Sequence, residues 1–468
     1  MTHRYPGLAA LFVMILFCSS ACAIDDAQKV GLNIEASRAG DDIDLTRYSL
    51  GQGGLSDRPM IDAHVDQLKQ LHPPTIRLFV QEYFNLLPEH GRYHWDTLDK
   101  TIEAILATGA KPIMCLCMKP KVFFPKIDHE LVHPTSYDDW DELIFRLVQH
   151  CNQDRKFGIE YWEIGNEGDI GESGGCPYKF KPDDYVVYYS HTAKAILKAD
   201  PHAKVGGPAL AGYQSPIGDA LIEHAASGKS RLDFFSWHMY DNNPQRFRKS
   251  IKDIKAKLPK HSSLKNVETL LDEWNMSLSR PVLNPFFQPA FVLETTLGFL
   301  EEGLTRAAYY HIRDFFVDPK EFAPFMSRQG TAFMAHWWNV MPQYDGLYDN
   351  QGRVRPAYYS FKLLSLIKGK RLAVSGTTSE VKALAAVNEG RINLIVWNFP
   401  TDGKGKKIEA ALQFSSIKDT NFRMVRLNPE SAVNNLEVER YGPVAELQSR
   451  PLRMALAPYE IYWVEIGP

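Results

Sequence analysis

The chain has 468 residues, 44 % of them hydrophobic, enough to bury a sizeable core in two or three domains. Its 53 basic and 56 acidic side chains are well mixed and leave a net charge of -3, which excludes a basic stripe for nucleic acid and a polybasic patch for an anionic membrane. A neutral small molecule or glycan is the partner such a surface favours, and an aromatic share of 12 % suits sugar stacking as well as core filling.

The N-terminus has the layout of an export signal. Arg4 precedes an apolar run from Leu8 to Phe17, too short to span a bilayer, and small residues follow. Two readings of residues 1–23 stay open. Ala21-Cys22-Ala23 fits small-x-small cleavage and release of a soluble exported protein, whether periplasmic, cell-surface or extracellular. Ser19 to Cys22 resembles a lipoprotein box, with Ser where a branched apolar residue is usual, and acylation at Cys22 would tether the protein to a membrane. Of the 6 Cys, the four beyond this segment, Cys115, Cys117, Cys151 and Cys176, lack zinc or redox spacing and read as small buried side chains.

Strand-like and helix-like stretches then alternate. Val30 to Glu35 is predicted as the first strand and Thr75 to Val80 as the second, with a helix over about Met60 to Leu71 between them. A helix from Trp95 to Thr108 leads to a third strand, Lys111 to Cys117, and a helix from Tyr137 to Cys151 leads to a fourth, which runs from Gly158 and breaks at Gly165 just before Glu167. Ala203 to Pro208, Leu232 to Tyr240, Val267 to Glu273 and Ala307 to His311 supply four more. Eight strands interleaved with helices imply a (β/α)8 TIM barrel over residues 24–368. From 369 to 468 the period changes to short alternating runs such as Ile392 to Trp397 and Tyr459 to Glu465, which predict an antiparallel β-sandwich with Trp397 and Trp463 in its core.

Two carboxylates stand out against that fold. Glu167 closes the fourth strand and Glu273 the seventh, and in a closed eight-stranded barrel those positions face each other across the C-terminal mouth. Glycoside hydrolysis needs this pairing, with one acid protonating the leaving oxygen while the other attacks or stabilises the oxocarbenium carbon. No phosphate-cradling glycine loop or metal-ligand spacing competes with it, and the reaction calls for no metal and no organic cofactor.

The ordered motifs Tyr93-x-Trp95, Gly109-x-Lys111-Pro112, Trp162-Glu163-x-x-Asn166-Glu167-x-Asp169, Asp200-Pro201-x-x-Lys204-Val205, Asp233-Phe234-x-Ser236-x-His238-x-Tyr240 and Asp272-Glu273-Trp274-Asn275 resemble glycoside hydrolase family 39 over about residues 90–280. Members of that family include β-xylosidases, α-L-iduronidases and exopolysaccharide hydrolases. The resemblance implies a retaining double displacement, with Glu167 as general acid/base, Glu273 as nucleophile, Asn166 on the hydroxyl beside the reacting carbon, and His238 and Tyr240 lining the pocket. Arg77 is expected to contact sugar or to hold Glu273 by a salt bridge, and Trp274 and Trp338 are candidate stacking platforms. The polar trio His311, Arg313 and Asp314 either grips an acidic sugar or pairs internally.

Departures from the family pattern fall around the pocket. Gly165 and Gly168 replace a Trp and a Pro beside the acid, Arg77-Leu78-Phe79 replaces Arg-x-His, and Cys115 stands where a Glu is frequent. The chemistry is therefore better defined than the sugar. An exported retaining glycosidase on a poly- or oligosaccharide is the leading reading. A non-catalytic glycan-binding surface protein on the same barrel and a glycosidase of a neighbouring family in the clan are its alternatives.

Overall fold

The alternation of Val30, Leu32 and Ile34 does make a strand, β1 (Gln28–Asp42), but not a barrel strand. In the computed structural model, which describes residues 28–467 except 54–58, 281, 342, 402, 418–420 and 428–435, β1 joins the C-terminal sheet. The export segment, with Cys18 and Cys22, lies outside the described residues. The first barrel strand is instead β2 (Ser49–Gln52), four residues with one large apolar side chain and so no legible period.

The barrel continues through β3 (Thr75–Val80), β4 (Lys111–Leu116), β5 (Tyr161–Ile164), β6 (Lys204–Leu210), β7 (Phe234–Tyr240), β8 (Glu268–Asn275) and β9 (Arg306–Tyr310), which pairs back onto β2 and closes the ring. The helices around it are α1 (Val65–Lys69), α2 (Asp96–Ala107), α3 (Tyr137–Gln149), α4 (Pro182–Ala199), α5 (Pro216–Ala226), α6 (Pro244–Lys257) and α7 (Phe287–Glu302). After β9 come α8 (Pro319–Phe322) and α9 (Arg328–Asn339) over the barrel mouth, then α10 (Pro356–Leu366). Helix α3 shows the common logic. Ser136 accepts a hydrogen bond from the Asp139 amide at its start, and Trp140, Leu143, Ile144, Leu147 and Val148 form one buried stripe. Inside the ring, Ile113, Tyr161, Phe234 and Leu270 form a packed layer, so the site at the mouth has a solid floor.

The second domain is one nine-stranded curled sheet. Its strands are β10 (Lys370–Ser375), β11 (Val381–Asn388), β12 (Arg391–Asn398), β13 (Ile408–Ser415), β14 (Asn421–Leu427), β15 (Leu436–Pro443), β16 (Leu452–Leu456) and β17 (Ile461–Gly467). The order is β15-β14-β17-β12-β11-β10-β1-β13-β16, antiparallel except where β1 runs parallel to β13. One face closes over Leu32, Leu394, Leu412 and Val464. Trp397 and Trp463, expected in that core, belong to the other face, which packs on the barrel. The Trp397 indole donates to Glu294 of α7 at 3.0 Å, and Phe287 of α7 meets Phe399 and Tyr459. Helix α7 is therefore buried on nearly every side, between barrel and sheet.

Candidate active site

Glu167 reaches the mouth by an uncommon backbone route. After β5 ends, Gly165 takes φ 95° and Glu167 itself φ 46°, a left-handed conformation that costs a non-glycine residue about 1–3 kcal/mol. Its amide is anchored at 2.7 Å by the carbonyl of Ala209, which is also left-handed at φ 53°. A Cβ at Gly174 would strike the Glu167 carboxylate, so the loop that follows is pressed against the acid.

Glu273 arrives by a bulge in β8. The register with β7 passes from Trp237–Leu271 to His238–Glu273, skipping Asp272, and this lets consecutive carboxyl groups both turn into the barrel. The same bulge directs Trp274 outward. It is fully buried among Phe247, Phe291, Phe299 and Tyr309, so it is not a sugar contact but part of the strand–helix core.

His238 and Tyr240 face the same point from β7. The His238 Nδ1 atom lies 2.8 Å from Glu167 Oε1 and 3.5 Å from Glu273 Oε2, and one atom from each of the three side chains falls within 4.8 Å of the others. Tyr240 donates its hydroxyl to Glu273 Oε2 at 2.6 Å. Beneath them, the fully buried Arg77 donates to Glu273 Oε1 at 2.8 Å, to Glu163 Oε2 at 2.6 Å and to Asn166 Oδ1 at 2.9 Å, with Asp272 Oδ2 3.1 Å away. Arg77 is thus the salt-bridge holder of its two expected roles. Asn166 is also buried, and its Nδ2 donates to the Gly174 carbonyl at 3.2 Å, tying the acid's loop to Arg77.

Four carboxyl groups, Glu163, Glu167, Asp272 and Glu273, surround this guanidinium, and their environments differ. Burial, then the charge of Glu273, pushes the Glu167 carboxyl well above the usual carboxylate range. Burial also raises Glu273, but Arg77 and the Tyr240 hydroxyl pull it back. Burial and the Glu163 charge push Asp272 well up, and burial and Arg77 push the His238 imidazole well down, which keeps it neutral. The two facing carboxyl groups are thus set apart, with Glu167 pushed up further than Glu273. The spacing of Glu167, His238 and Glu273 would also suit a small cation, but the Arg77 charge beneath them opposes one.

Glu163 and Asp272 stand within the quoted motifs with no role assigned from sequence, and Asp272 turns inward beside Glu273 only through the β8 bulge, which alternation alone does not reveal. His311 and Asp314 pair internally at 3.0 Å and Arg355 joins them, while the half-buried Arg313 donates to the Asn350 carbonyl at 3.2 Å, so internal pairing is the arrangement this cluster adopts. Both carboxylates face a cavity of about 440 Å3, walled by aromatic side chains that include Phe79, Tyr310 and Trp338. A larger groove of about 740 Å3, lined by Asp44, Arg47, Glu301 and Arg371, shares no residue with this site.

A closed parallel barrel with two facing carboxyl groups at its C-terminal rim is the framework of a barrel glycosidase. Residues 85–401 match Glycosyl hydrolases family 39, and the chain belongs to that family. It is 24 % identical over 399 residues to a β-xylosidase of Caldicellulosiruptor saccharolyticus, spanning 79 % of this chain and 72 % of that one. Its fold is similar to a glucosidase from Croceicoccus marinus, with TM-score 0.74 and 16 % identity over 94 % of this chain and 99 % of that one. It is similar also to a family 39 β-xylosidase from Caulobacter crescentus, with TM-score 0.70 and 19 % identity over 94 % of this chain and 100 % of that one.

Proposed function

We propose that this glycosidase cleaves a β-xyloside or a closely related neutral β-glycoside with retention of configuration. The observation that carries the reading is the placement of Glu167 and Glu273 around His238, with carboxyl oxygens within 4.8 Å. Retaining enzymes hold the two groups about 5–5.5 Å apart, whereas inverting ones leave about 6.5–9.5 Å for a water.

In the first step Glu167 gives its proton to the glycosidic oxygen as the C–O bond breaks, and the Glu273 carboxylate bonds to the anomeric carbon. In the second step Glu167 takes a proton from water, whose oxygen displaces Glu273 and releases the sugar. Arg77 and Tyr240 keep Glu273 ionised before attack and orient it. Neutral His238 holds Glu167 in place without adding a positive charge that would strip its proton.

The test is proton NMR of the first sugar released from an aryl β-xyloside. The β-anomer appearing first supports retention, and the α-anomer appearing first rejects it. Export belongs to the same proposal. Fractionation of cells expressing the full chain, beside Cys22→Ser, distinguishes a lipid-anchored enzyme from a soluble exported one, and activity confined to the cytoplasm would remove both.

A further inference from the structure

The β8 bulge turns two consecutive carboxyl groups inward, and one of them, Glu273, faces the cavity at the mouth. The other, Asp272, is fully buried among Arg77 of β3, Glu163 of β5, His238 of β7 and Glu273 itself. Arg77 Nε holds Glu163 Oε2 at 2.6 Å and Asp272 Oδ2 at 3.1 Å, so two carboxyl groups meet at one N–H. They are hydrogen-bonded to each other, and two carboxyl groups form such a bond only when one of them carries a proton. That proton belongs to Asp272. Burial works against charge on both, but Arg77 outweighs it at Glu163, whose carboxyl is held below the usual range, whereas burial and the Glu163 charge push Asp272 well above it.

On its other side Asp272 meets the imidazole. Oδ1 lies 3.6 Å from His238 Nε2, and neither atom has a hydrogen-bond partner among the described residues. Both are buried, where polar atoms are as a rule paired. The separation is roughly half an ångström beyond a hydrogen bond, so the sign of the contact depends on where the imidazole proton sits. With the proton on Nε2, an N–H faces an oxygen lone pair. With Nε2 bare, two lone pairs oppose each other, unless the Asp272 proton moves to Oδ1 and leaves the carboxyl groups of Asp272 and Glu163 in contact without one. Only the first arrangement satisfies both contacts at once.

Across the ring, Nδ1 lies 2.8 Å from Glu167 Oε1. A bare Nδ1 can only accept, so the proton of this bond comes from Glu167. Burial and the charges of Glu273 and Asp169 also favour a protonated Glu167, and the Arg77 charge opposes them.

We infer that Asp272 is a positioning residue for Glu167: its own proton is spent on Glu163, its free oxygen holds the His238 proton on Nε2, and the lone pair thereby turned on Glu167 keeps that carboxyl protonated in the free protein. Four side chains, Glu163, Asp272, His238 and Glu167, thus form one line from the Arg77 guanidinium to the mouth. The consequence for catalysis rests on Glu167 being the general acid, as proposed above; the tautomer does not.

Nitrogen NMR of histidine-labelled protein reads the tautomer without turnover, the His238 signals being those lost in His238→Gln. Wild type is expected to show a protonated Nε2 and a bare Nδ1, and so is Asp272→Asn, whose amide can donate to Glu163 and accept from Nε2. A protonated Nδ1 in wild type overturns the inference. Asp272→Ala removes the acceptor and frees the ring to donate from Nδ1 to an ionised Glu167. The alkaline limb of kcat/KM for an aryl β-xyloside, which reports the free enzyme, is therefore expected to move down by about one pH unit or more, the scale of a hydrogen bond to a charged group. Lower activity with that limb unmoved is the mark of lost packing alone and overturns the inference. Asp272→Asn exchanges one neutral group for another and is expected to keep both limbs in place, whereas a fall of both limbs shows that Asp272 was charged and overturns it too. Absence of turnover in the wild-type protein rejects the proposed function, and the NMR still decides the tautomer.

Discussion

Arg77 Nη1 lies 2.8 Å from Glu273 Oε1, and the rest of the same guanidinium holds Glu163 and Asn166, so one buried cation organises both Glu273 and the loop that carries Glu167. Removing one member of a buried ion pair leaves the other charge without compensation and costs about 3–5 kcal/mol. Arg77→Met is therefore expected to lower stability by that order in denaturant unfolding. In Arg77→Lys the fork geometry is lost, Glu273 rises further, and the acidic limb of kcat/KM against pH moves to higher pH.

The wild-type pH profile has a predicted shape. In the proposed mechanism Glu273 works ionised and is raised, so the acidic limb lies above the ordinary carboxylate value; Glu167 works protonated and is raised well above it, so the alkaline limb lies higher still. A kcat/KM profile is expected to be bell-shaped with both limbs displaced upward. An acidic limb at the ordinary carboxylate value would contradict this.

Stability carries the same linkage. Because the folded pKa of Glu167 is raised, its contribution is full below the unfolded carboxylate pKa and is lost as pH rises through the folded value. Glu167→Gln cannot ionise, so its stability relative to wild type is expected to improve from acid to alkaline pH. Denaturant midpoints at both ends of the range measure the difference.

Tyr240 donates to Glu273 at 2.6 Å, and a hydrogen bond to a charged group contributes about 1.5–3 kcal/mol. Tyr240→Phe is expected to lower kcat/KM roughly tenfold to a hundredfold. The acidic limb should move upward in the same variant, and a fall in activity without that movement would place the role of Tyr240 elsewhere.

Glu172 links two walls of the mouth. It follows Glu167 on the same loop, is nearly buried, accepts from the amide and hydroxyl of Ser327 at the start of α9, and lies 3.3 Å from His129. Since α9 carries Phe333, Trp337 and Trp338 of the cavity that both carboxylates face, Glu172→Ala is expected to loosen that wall and raise KM more than it lowers kcat. Steady-state kinetics separate the two effects.

Much of this site was legible because its chemistry sits at strand ends. Glu167, Glu273, His238 and Tyr240 lie at or just beyond the ends of parallel strands, and strand count and motif place them on the rim, although the left-handed turn at Glu167 and the bulge that aims Glu273 leave no trace in local alternation. Trp274 escaped that logic because the β8 bulge reverses alternation after Leu271, a feature that depends on the neighbouring strand. Trp274→Ala is accordingly expected to cost about 3–5 kcal/mol of stability and to leave KM little changed. Strand β1 misled for a related reason, since period 2 identifies a strand but not the sheet it joins. The aromatic wall after β9 is gathered from a loop at Phe315, the four-residue α8 and the mouth-facing side of α9, pieces that alternation along the barrel strands does not announce.

Azide rescue tests the central claim most directly, because a small nucleophile can replace either carboxylate and the product records which one it replaced. Glu273→Ala with azide and an aryl β-xyloside is expected to yield the α-glycosyl azide, and Glu167→Ala the β-glycosyl azide. The opposite assignment, or no rescue in either variant while both remain folded, would contradict Glu273 as nucleophile and Glu167 as acid/base.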